Sequence, residues 1–532
     1  MEFANASAGG EQPIAAPPPT DLKAALRLGL LFAAIKLAVD IAGNILAQHF
    51  GYGIFRDEMY YIVCGRRLAW GYVDQAPMVA LQARLATALF GFHNLALLRL
   101  FSGIAGTVKI VLTGLLAAAM GGRRMAQALA MTAVLIAPVY LGIDSFLSMN
   151  AFEPVFWMGC VLAILWMVRG GDLRWWIAVG VCGGLGLLNK PSIAFFLAAL
   201  FLGLLLTPQR RLLFSLWALL ALLLVVGLSL PYTLWQIHHH WPTLEWLENV
   251  KHSHKNVVLG PLAFLEAEIQ MLHPLSIFLL LPGLAWLLFF RGARGLRWVG
   301  LSYLICLAIM IHLHAKDYYF APVYPMLFAA GAVSWQRAFS ASRKTAWLLP
   351  AAIAVFLILG AVTLPMALPV LPPATWVRYT RALHLTDVAT ETASSGQLPQ
   401  FYADRFGWQQ MAAEVGRIYN ALPPQERART AIFCDNYGEA GAIDLFGPKY
   451  GLPPAISGHQ NYFFWGPRGY DGQSMIVVGE TKKELQHYFS SVTEAGSFEN
   501  RWAMPYENGP IYLCHGPKEP LAEYWPHTKN WY

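Results

Sequence analysis

The chain has 532 residues, of which 56% are hydrophobic and only 13% charged, with a net charge of +7 and a mean hydropathy of +0.44. A soluble domain carries about 25% charged residues, so the composition excludes an ordinary soluble globular protein. The excess of positive charge does not signal nucleic-acid binding, because no basic stretch interleaved with aromatic residues accompanies it.

Residues 1–22, rich in Ala, Pro and Gly, read as a disordered cytoplasmic tail. They lack the cationic start, apolar stretch and cleavage site of a signal peptide. Apolar runs follow that approach the ~20 residues needed to cross a bilayer. Between them lie short basic loops at 121–124, 169–174, 209–211, 291–297 and 337–344. Positive loops stay cytoplasmic, and placing all five on one side requires about eleven spans. The expected spans are 24–46, 96–120, 126–142, 151–168, 175–189, 192–207, 212–235, 272–290, 297–313, 319–336 and 346–366. The fold class is thus an all-α polytopic membrane domain over 23–370, with its first outer loop at 48–95. An odd number of spans puts the C-terminal region outside, together with the loops at 236–270 and 312–318.

From about residue 372 polar residues return and the pattern becomes strand–helix–strand. Strands are expected at 430–434, 475–479 and 511–514, with helices at 437–445 and 481–489. This alternation predicts a small α/β domain over 371–532 on the outer, periplasmic side. Gly438-Glu439-Ala440-Gly441-Ala442 opens a helix; it reads as an anion site or, more simply, as ordinary helix entry. The six cysteines are scattered without a Cys-x-x-Cys pair, which argues against structural zinc. Cys434 and Cys514 lie in strand-like runs. They read equally as a disulfide in an oxidising compartment or as two free buried thiols.

The residues able to carry chemistry cluster in the outer loops. The first holds Arg56-Asp57-Glu58-Met59-Tyr60-Tyr61 and then Tyr72-Val73-Asp74-Gln75-Ala76-Pro77. A carboxylate such as Asp57 can take a proton from an attacking hydroxyl; the plainer reading of Asp57 and Glu58 is a solvated helix cap. Asp74 can hold a metal or orient an acceptor, or simply belong to a turn before proline. Glu153 lies at the mouth of the fourth span and is expected to face a cavity, since an unpaired carboxylate in lipid is costly. Lys190, Lys251, Lys255 and Lys316 break the positive-inside trend and suit a phosphate, against the alternative of snorkelling to lipid head groups. Asp74 with His252 or His254 offers a divalent-metal site, the one cofactor the sequence suggests.

The Arg56–Tyr61 loop after the first span resembles the Asp-Glu motif of membrane glycosyltransferases of the GT-C fold. That group includes the protein O-mannosyltransferases and the lipid A aminoarabinose and galacturonosyl transferases. Val73-Asp74-Gln75-Ala76-Pro77 resembles their next loop motif, and Gly186-Leu187-Leu188-Asn189-Lys190 a segment with a phosphate-contacting lysine. Lys316-Asp317-Tyr318-Tyr319 resembles the Lys/Tyr stretch before a late span. The tail is similar to bacterial members through residues 436–442 and 458–467. The resemblance implies an inverting transfer, on the outer face of a bacterial inner membrane, from a polyprenyl-phosphate sugar to a glycolipid such as lipid A or lipopolysaccharide core. It implies Asp57 as base with Glu58 beside it, and Lys190, Lys316 and Tyr319 on the donor phosphate. It also implies Asp74, Glu153 and Tyr61 on the acceptor side. Gln75 stands where the aminoarabinose transferases carry Lys, and Ala76 replaces a proline, which bears on the donor head group more than on the chemistry. The alternatives are a protein O-glycosyltransferase of the same group, a flippase for a lipid-linked sugar, and a membrane-anchored glycan-binding protein.

Overall fold

A computed structural model describes residues 22–253, 256–340, 342–385, 391–392 and 396–532. Residues 1–21, His254 and Lys255 lie outside the described residues. Six helices among those described are long and apolar enough to cross a membrane: Leu22–His49, Leu100–Ala119, Met149–Gly170, Leu216–His238, Arg291–His312 and Leu348–Ala367. Two broken pairs raise the number to eight. Arg124–Ile136 and Pro138–Asp144 meet at 64°, and Pro261–Leu272 and Pro274–Phe289 at 104°. A proline opens the second segment of each pair, where its missing N–H prevents the first helix from running on.

Each of the eleven expected spans falls on helix. Three of them fall short of the length criterion: Trp176–Asn189, Ile193–Leu205 and Tyr324–Phe339 have 14, 13 and 16 residues. At 1.5 Å per residue they reach about 20–24 Å, less than the ~30 Å hydrocarbon core. The glycines of the first of these serve packing. A Cβ at Gly180 would lie 2.8 Å from the Ala221 carbonyl, and one at Gly184 2.7 Å from the Leu228 Cβ. Small residues of this kind let helix backbones approach where no hydrophobic force separates helix from lipid. Leu216–His238 is accordingly held on one side only, and Leu219, Leu222, Leu223 and Val226 remain exposed.

Four charges are buried between the first helices. Lys36 lies 2.6 Å from Asp40 and 3.0 Å from Asp144, and Lys109 lies 2.8 Å from Asp144. Two cations and two anions cancel, which removes most of the cost of burying them. Asp144, at the end of the Pro138–Asp144 helix, thereby belongs to the helical core.

The C-terminal sheet has four strands: β1 (Ala431–Cys434), β2 (Ser474–Val478), β3 (Phe489–Phe498) and β4 (Gly509–Pro517), in the order β1-β2-β4-β3. β1 pairs parallel to β2, and the other neighbours are antiparallel. The expected strands and helices of this region are present. β3 escaped the sequence reading because it is a half-exposed edge of Ser, Thr, Glu, Ala and Gly rather than a β-branched run. All six cysteines are free thiols. β2 separates Cys434 from Cys514, and their partners on it, Val478 and Met475, are three residues apart. Two strand spacings of about 4.8 Å already exceed the ~7 Å limit for bridged Cα atoms.

The crossing of Ile277–Phe289 with Tyr324–Phe339 rests on glycine at both helices. A Cβ at Gly283 would lie 2.8 Å from the Leu327 carbonyl, and one at Gly331 would collide with the Leu279 carbonyl. Gly331→Val is expected to cost about 1–3 kcal/mol by overpacking, visible as a lower thermal midpoint of the purified protein. A variant that melts with the wild type would show that the two helices are not closely packed.

Candidate active site

The first loop folds as the helix Arg56–Arg66, and nine of its eleven residues are buried. Its anchor is Glu58. One carboxylate oxygen accepts from Arg99 Nε at 2.8 Å and from the Leu147 amide at 2.7 Å. The other accepts from Arg99 Nη2 at 2.7 Å and from the Phe55 amide at 2.8 Å. Burial by itself would raise this carboxyl; the Arg99 charge and the four donors outweigh it and hold the group below the usual carboxylate value. With 0% exposure and both oxygens engaged, Glu58 is a strut, not a group turned toward a substrate.

Asp57, one residue before, is only partly buried. Tyr437 Oη donates to its Oδ1 at 2.8 Å, a contact made across 380 residues of chain. Burial and then the Asp57 charge push the Tyr437 phenol well above its ordinary value, so it remains a donor. Asp74 has a matching arrangement, accepting from Tyr60 Oη at 3.0 Å. The Tyr60 and Tyr437 rings lie 4.9 Å apart, so two tyrosines packed together each serve one carboxylate. Tyr61 is buried on the same helix, 6.2 Å from the Tyr60 ring. Burial first, then the charges of Asp57 and Asp74, keep its phenol protonated. The Asp74 loop is held by the tail, where Asn461 Oδ1 accepts from the Val73 amide at 2.7 Å.

Lys190 and Tyr319 come together with Glu153, which the resemblance had placed on the acceptor side. Lys190 Nζ lies 3.1 Å from Glu153 and 2.9 Å from Asn150 Oδ1, and 3.8 Å from the centroid of the Tyr319 ring. Ser192 donates to the second Glu153 oxygen. Glu153 therefore faces a lysine in the loop between helices, and not lipid. Tyr318 meets Tyr319 edge-on at 4.9 Å, its ring centroid 5.5 Å from Lys190 Nζ; burial first, and among the neighbouring charges that of Asp57, push its phenol up. Lys316 points elsewhere. Its Nζ lies 3.1 Å from Glu391, which also accepts from Gln400 at 3.0 Å.

The metal reading finds less support. His254 lies outside the described residues, and His252 is exposed at the end of its helix. Of the His run, His239 stacks on Trp235 at 4.1 Å and meets the Trp235 carbonyl. Among the described residues no three His, Cys, Asp or Glu side chains converge as a metal cage. The amides at the start of the 437–446 helix are taken by Asn436 and a Glu439 capping box, which favours ordinary helix entry over an anion site.

Sequence reasoning missed Arg99, Tyr60 and Tyr437. Arg99 had a signal, being a lone arginine at the outer mouth of an apolar run. Tyr437 had none beyond its place in a Gly-rich motif.

Behind Asp57 lies a second set of acids. Arg56 donates to Tyr506 Oη at 2.8 Å and lies over the Tyr437 ring at 4.7 Å, and its charge acts on Asp404, Asp435, Glu439 and Glu507. Burial pushes the Asp404 carboxyl up to about 8 and that of Glu507 to about 7, despite the Arg56 charge.

Residues 74–235 match the family described as dolichyl-phosphate-mannose-protein mannosyltransferase. No curated protein matches the sequence significantly. Two solved structures of ArnT from Cupriavidus metallidurans align over nearly the whole chain. The one bound to undecaprenyl phosphate has a TM-score of 0.57 at 16% identity, covering 92% of this chain and 99% of ArnT. The apo form has 0.55 at 16% identity, covering 93% and 100%. The oligosaccharyltransferase AglB from Archaeoglobus fulgidus aligns at 0.49 and 12% identity, over 93% of this chain and 77% of AglB. The chain has the GT-C fold. It is a multi-pass membrane protein, and the alignment takes in almost all of both chains.

Two expectations follow from this geometry. Glu58→Leu leaves the Arg99 guanidinium buried and unpaired, and is expected to cost about 3–5 kcal/mol. Thermal unfolding measures it, and Glu58→Leu with Arg99→Met should recover part of the loss; a single variant as stable as wild type would mean that the pair is not buried. The second concerns pH. Unfolded carboxyls titrate near ~4, while Asp404 and Glu507 titrate near 8 and 7 in the fold. Across that interval the folded state binds more protons, so stability falls as pH rises from about 4 to about 8. The thermal midpoint should drop over this range, and drop less in Asp404→Asn; a midpoint that climbs with pH contradicts the assignment.

Proposed function

We propose that this protein is an inverting glycosyltransferase that moves a sugar from a polyprenyl-phosphate carrier to an acceptor on the outer face of a bacterial inner membrane. The observation that carries this reading is the partly buried Asp57 carboxylate. A tyrosine orients it, and its charge helps to raise the phenol of Tyr318, which packs with Tyr319 on the cation Lys190. A base and a phosphate-seeking cation thus lie within one cluster.

In this reading the acceptor hydroxyl attacks the anomeric carbon from the side opposite the phosphate. Asp57 takes the hydroxyl proton as the new bond forms. The bond from the anomeric carbon to the phosphate oxygen breaks, and polyprenyl phosphate leaves with one more negative charge than it carried in the donor. Lys190 meets that charge as a point cation, with the Tyr319 ring beneath it. Tyr437 and Tyr60 donate hydrogen bonds to the two carboxylates, Tyr61 stays protonated beside them, and Glu58 fixes the helix that presents Asp57. Asp74 lines the acceptor side with Tyr60, and Glu153 holds Lys190 in place when no donor is bound. Lys316 contacts the donor phosphate only if it leaves Glu391.

A glycolipid acceptor of the lipid A or lipopolysaccharide-core kind fits the likeness to ArnT, whereas the matching family is described as acting on protein. Eleven spans with a periplasmic C-terminal domain fit the basic loops. One observation favours the transporter reading: Glu268, 1% exposed, lies on the helix pair broken at 104°, where transporters place ionisable groups.

Asp57→Asn is expected to lower transfer by roughly hundredfold or more, the usual weight of a general base, while donor binding persists. Purified protein with radiolabelled polyprenyl-phosphate sugars and membrane glycolipids provides the assay. Full activity in the variant removes Asp57 as the base; no transfer by a folded wild type over the whole panel turns the reading toward the transporter.

A further inference from the structure

A second cationic group lies at the far end of the Arg56–Arg66 helix, about 15 Å from Asp57 at 1.5 Å per residue. Arg67 is exposed, and its guanidinium lies 4.7 Å from the centroid of the Trp465 ring. Arg66 Nη1 donates to the Asp444 carbonyl at 3.0 Å. Arg468 comes in from the tail, at a backbone φ of 53° between Gly466 at 73° and Gly469 at 78°. Few non-glycine residues hold this conformation, so the loop fixes where the arginine stands. Its Nε and Nη2 are buried and make no hydrogen bond.

The nearest carboxylate does not neutralise this group. Asp444 lies 3.8 Å from Arg468 Nη2, too far for a hydrogen bond. Its oxygens already accept from the Ala455 amide at 2.8 Å and the Tyr462 hydroxyl at 3.1 Å. The Asp444 carboxylate is therefore already engaged by these two donors. Partial burial, and next the charge of Arg468, lower the pKa of Arg67 against the opposing charge of Asp444.

The surroundings indicate where that counter-ion comes from. Leu68 and Trp70, the residues after Arg67, are 53% and 59% exposed. The next residue, Gly71, packs flat on the Trp235 ring, where a Cβ would lie 2.8 Å from Cδ2. Trp235 closes the apolar helix Leu216–His238, and Phe464 meets its ring edge at 6.2 Å. The arginines thus stand at the end of a membrane span, beside exposed apolar side chains. Aromatic residues gather at the bilayer–water boundary, and arginine matches phosphate with paired N–H donors.

We infer that Arg67 and Arg468, on the Trp465 ring and with Arg66 beside them, form a binding site for the phosphoryl head of an anionic amphiphile whose chains lie over Leu68 and Trp70. The site is separate from the Lys190 group and does not depend on the transferase reading.

Direct binding to purified full-length protein tests it, with fluorescent short-chain phosphatidic acid as the probe and phosphatidylcholine as the neutral comparison. Losing two charge-assisted contacts should weaken phosphatidic acid binding by about tenfold or more in Arg67→Gln/Arg468→Gln. Phosphatidylcholine binding should not change, and Lys482→Gln, an exposed cation on the tail, should behave as wild type. Any binding at the Lys190 group is common to all these proteins. If the double variant fails to fold, Arg67→Gln alone, at an exposed position, should show a smaller loss in the same direction. Competition with inorganic phosphate separates the sources: displacement means that the phosphoryl group suffices, and no displacement means that the lipid chains are needed. A wild type that binds neither probe, a double variant that binds as tightly as wild type, or an equal loss in Lys482→Gln each overturns the site.

Discussion

The Glu58–Arg99 pair holds the first loop in register with everything around it. Arg99 gives two donors to Glu58, one to Asn44 Oδ1 and one to the Gly53 carbonyl. Glu58 in turn takes the Leu147 and Phe55 amides. One ion pair thereby ties together the Leu22–His49 helix, the start of Leu100–Ala119, the turn before Met149–Gly170 and the loop helix. Burying two charges is repaid only where every lone pair and N–H is used, and here nearly all are. The next residue back is Asp57. A helix turns about 100° per residue, so fixing Glu58 inward toward Arg99 turns Asp57 to a different side, where Tyr437 waits.

That side is closed by the tail. The Gly53 and Arg56 amides donate to the carbonyls of Arg405 and Asp404 at 2.9 and 3.0 Å. Asn461 holds the Val73 amide and its own amide donates to Tyr60 Oη at 3.2 Å. The 437–446 helix packs against the loop helix closely enough that a Cβ at Gly441 would lie 3.0 Å from that of Met59. The polar C-terminal region is therefore part of the site. A loop of few residues cannot satisfy its own buried amides, and the tail supplies the missing acceptors.

The sequence was most informative where the physics is local. Apolar runs place the helices, and the polar return after residue 372 places the sheet, because length and hydropathy act over neighbouring residues. Lys36 and Asp40 show the limit: their spacing of four puts them on one helix face, but only the fold brings Asp144 and Lys109 to complete the quartet. Lys190 and Lys316 looked alike as outer lysines. The fold sends one to Glu153 and Tyr319 and the other to Glu391, a difference set by partners more than 35 residues distant. Asp57 and Glu58 also looked alike, and their roles part because burial and Arg99 act on one of them only. Tyr437 could not be found by such reasoning, since its contact with Asp57 spans the chain.

The pairing of Lys190 with Glu153 bears on how such a site can discriminate between ground state and transition state. A lysine already opposed by a carboxylate contributes little net charge to a donor diester that carries one negative charge. As the sugar departs, the phosphate gains a second charge, and the attraction to the same lysine grows. Interactions that strengthen only as the reaction proceeds lower the barrier rather than tighten substrate binding. The Tyr319 ring at 3.8 Å and Asn150 at 2.9 Å hold the ammonium in place meanwhile, so little reorganisation is needed when that charge develops. Under the transfer reading, Glu153 thus does more than neutralise a cation near the membrane. It keeps the donor from binding too tightly before the bond breaks, and it takes the lysine back once polyprenyl phosphate has left.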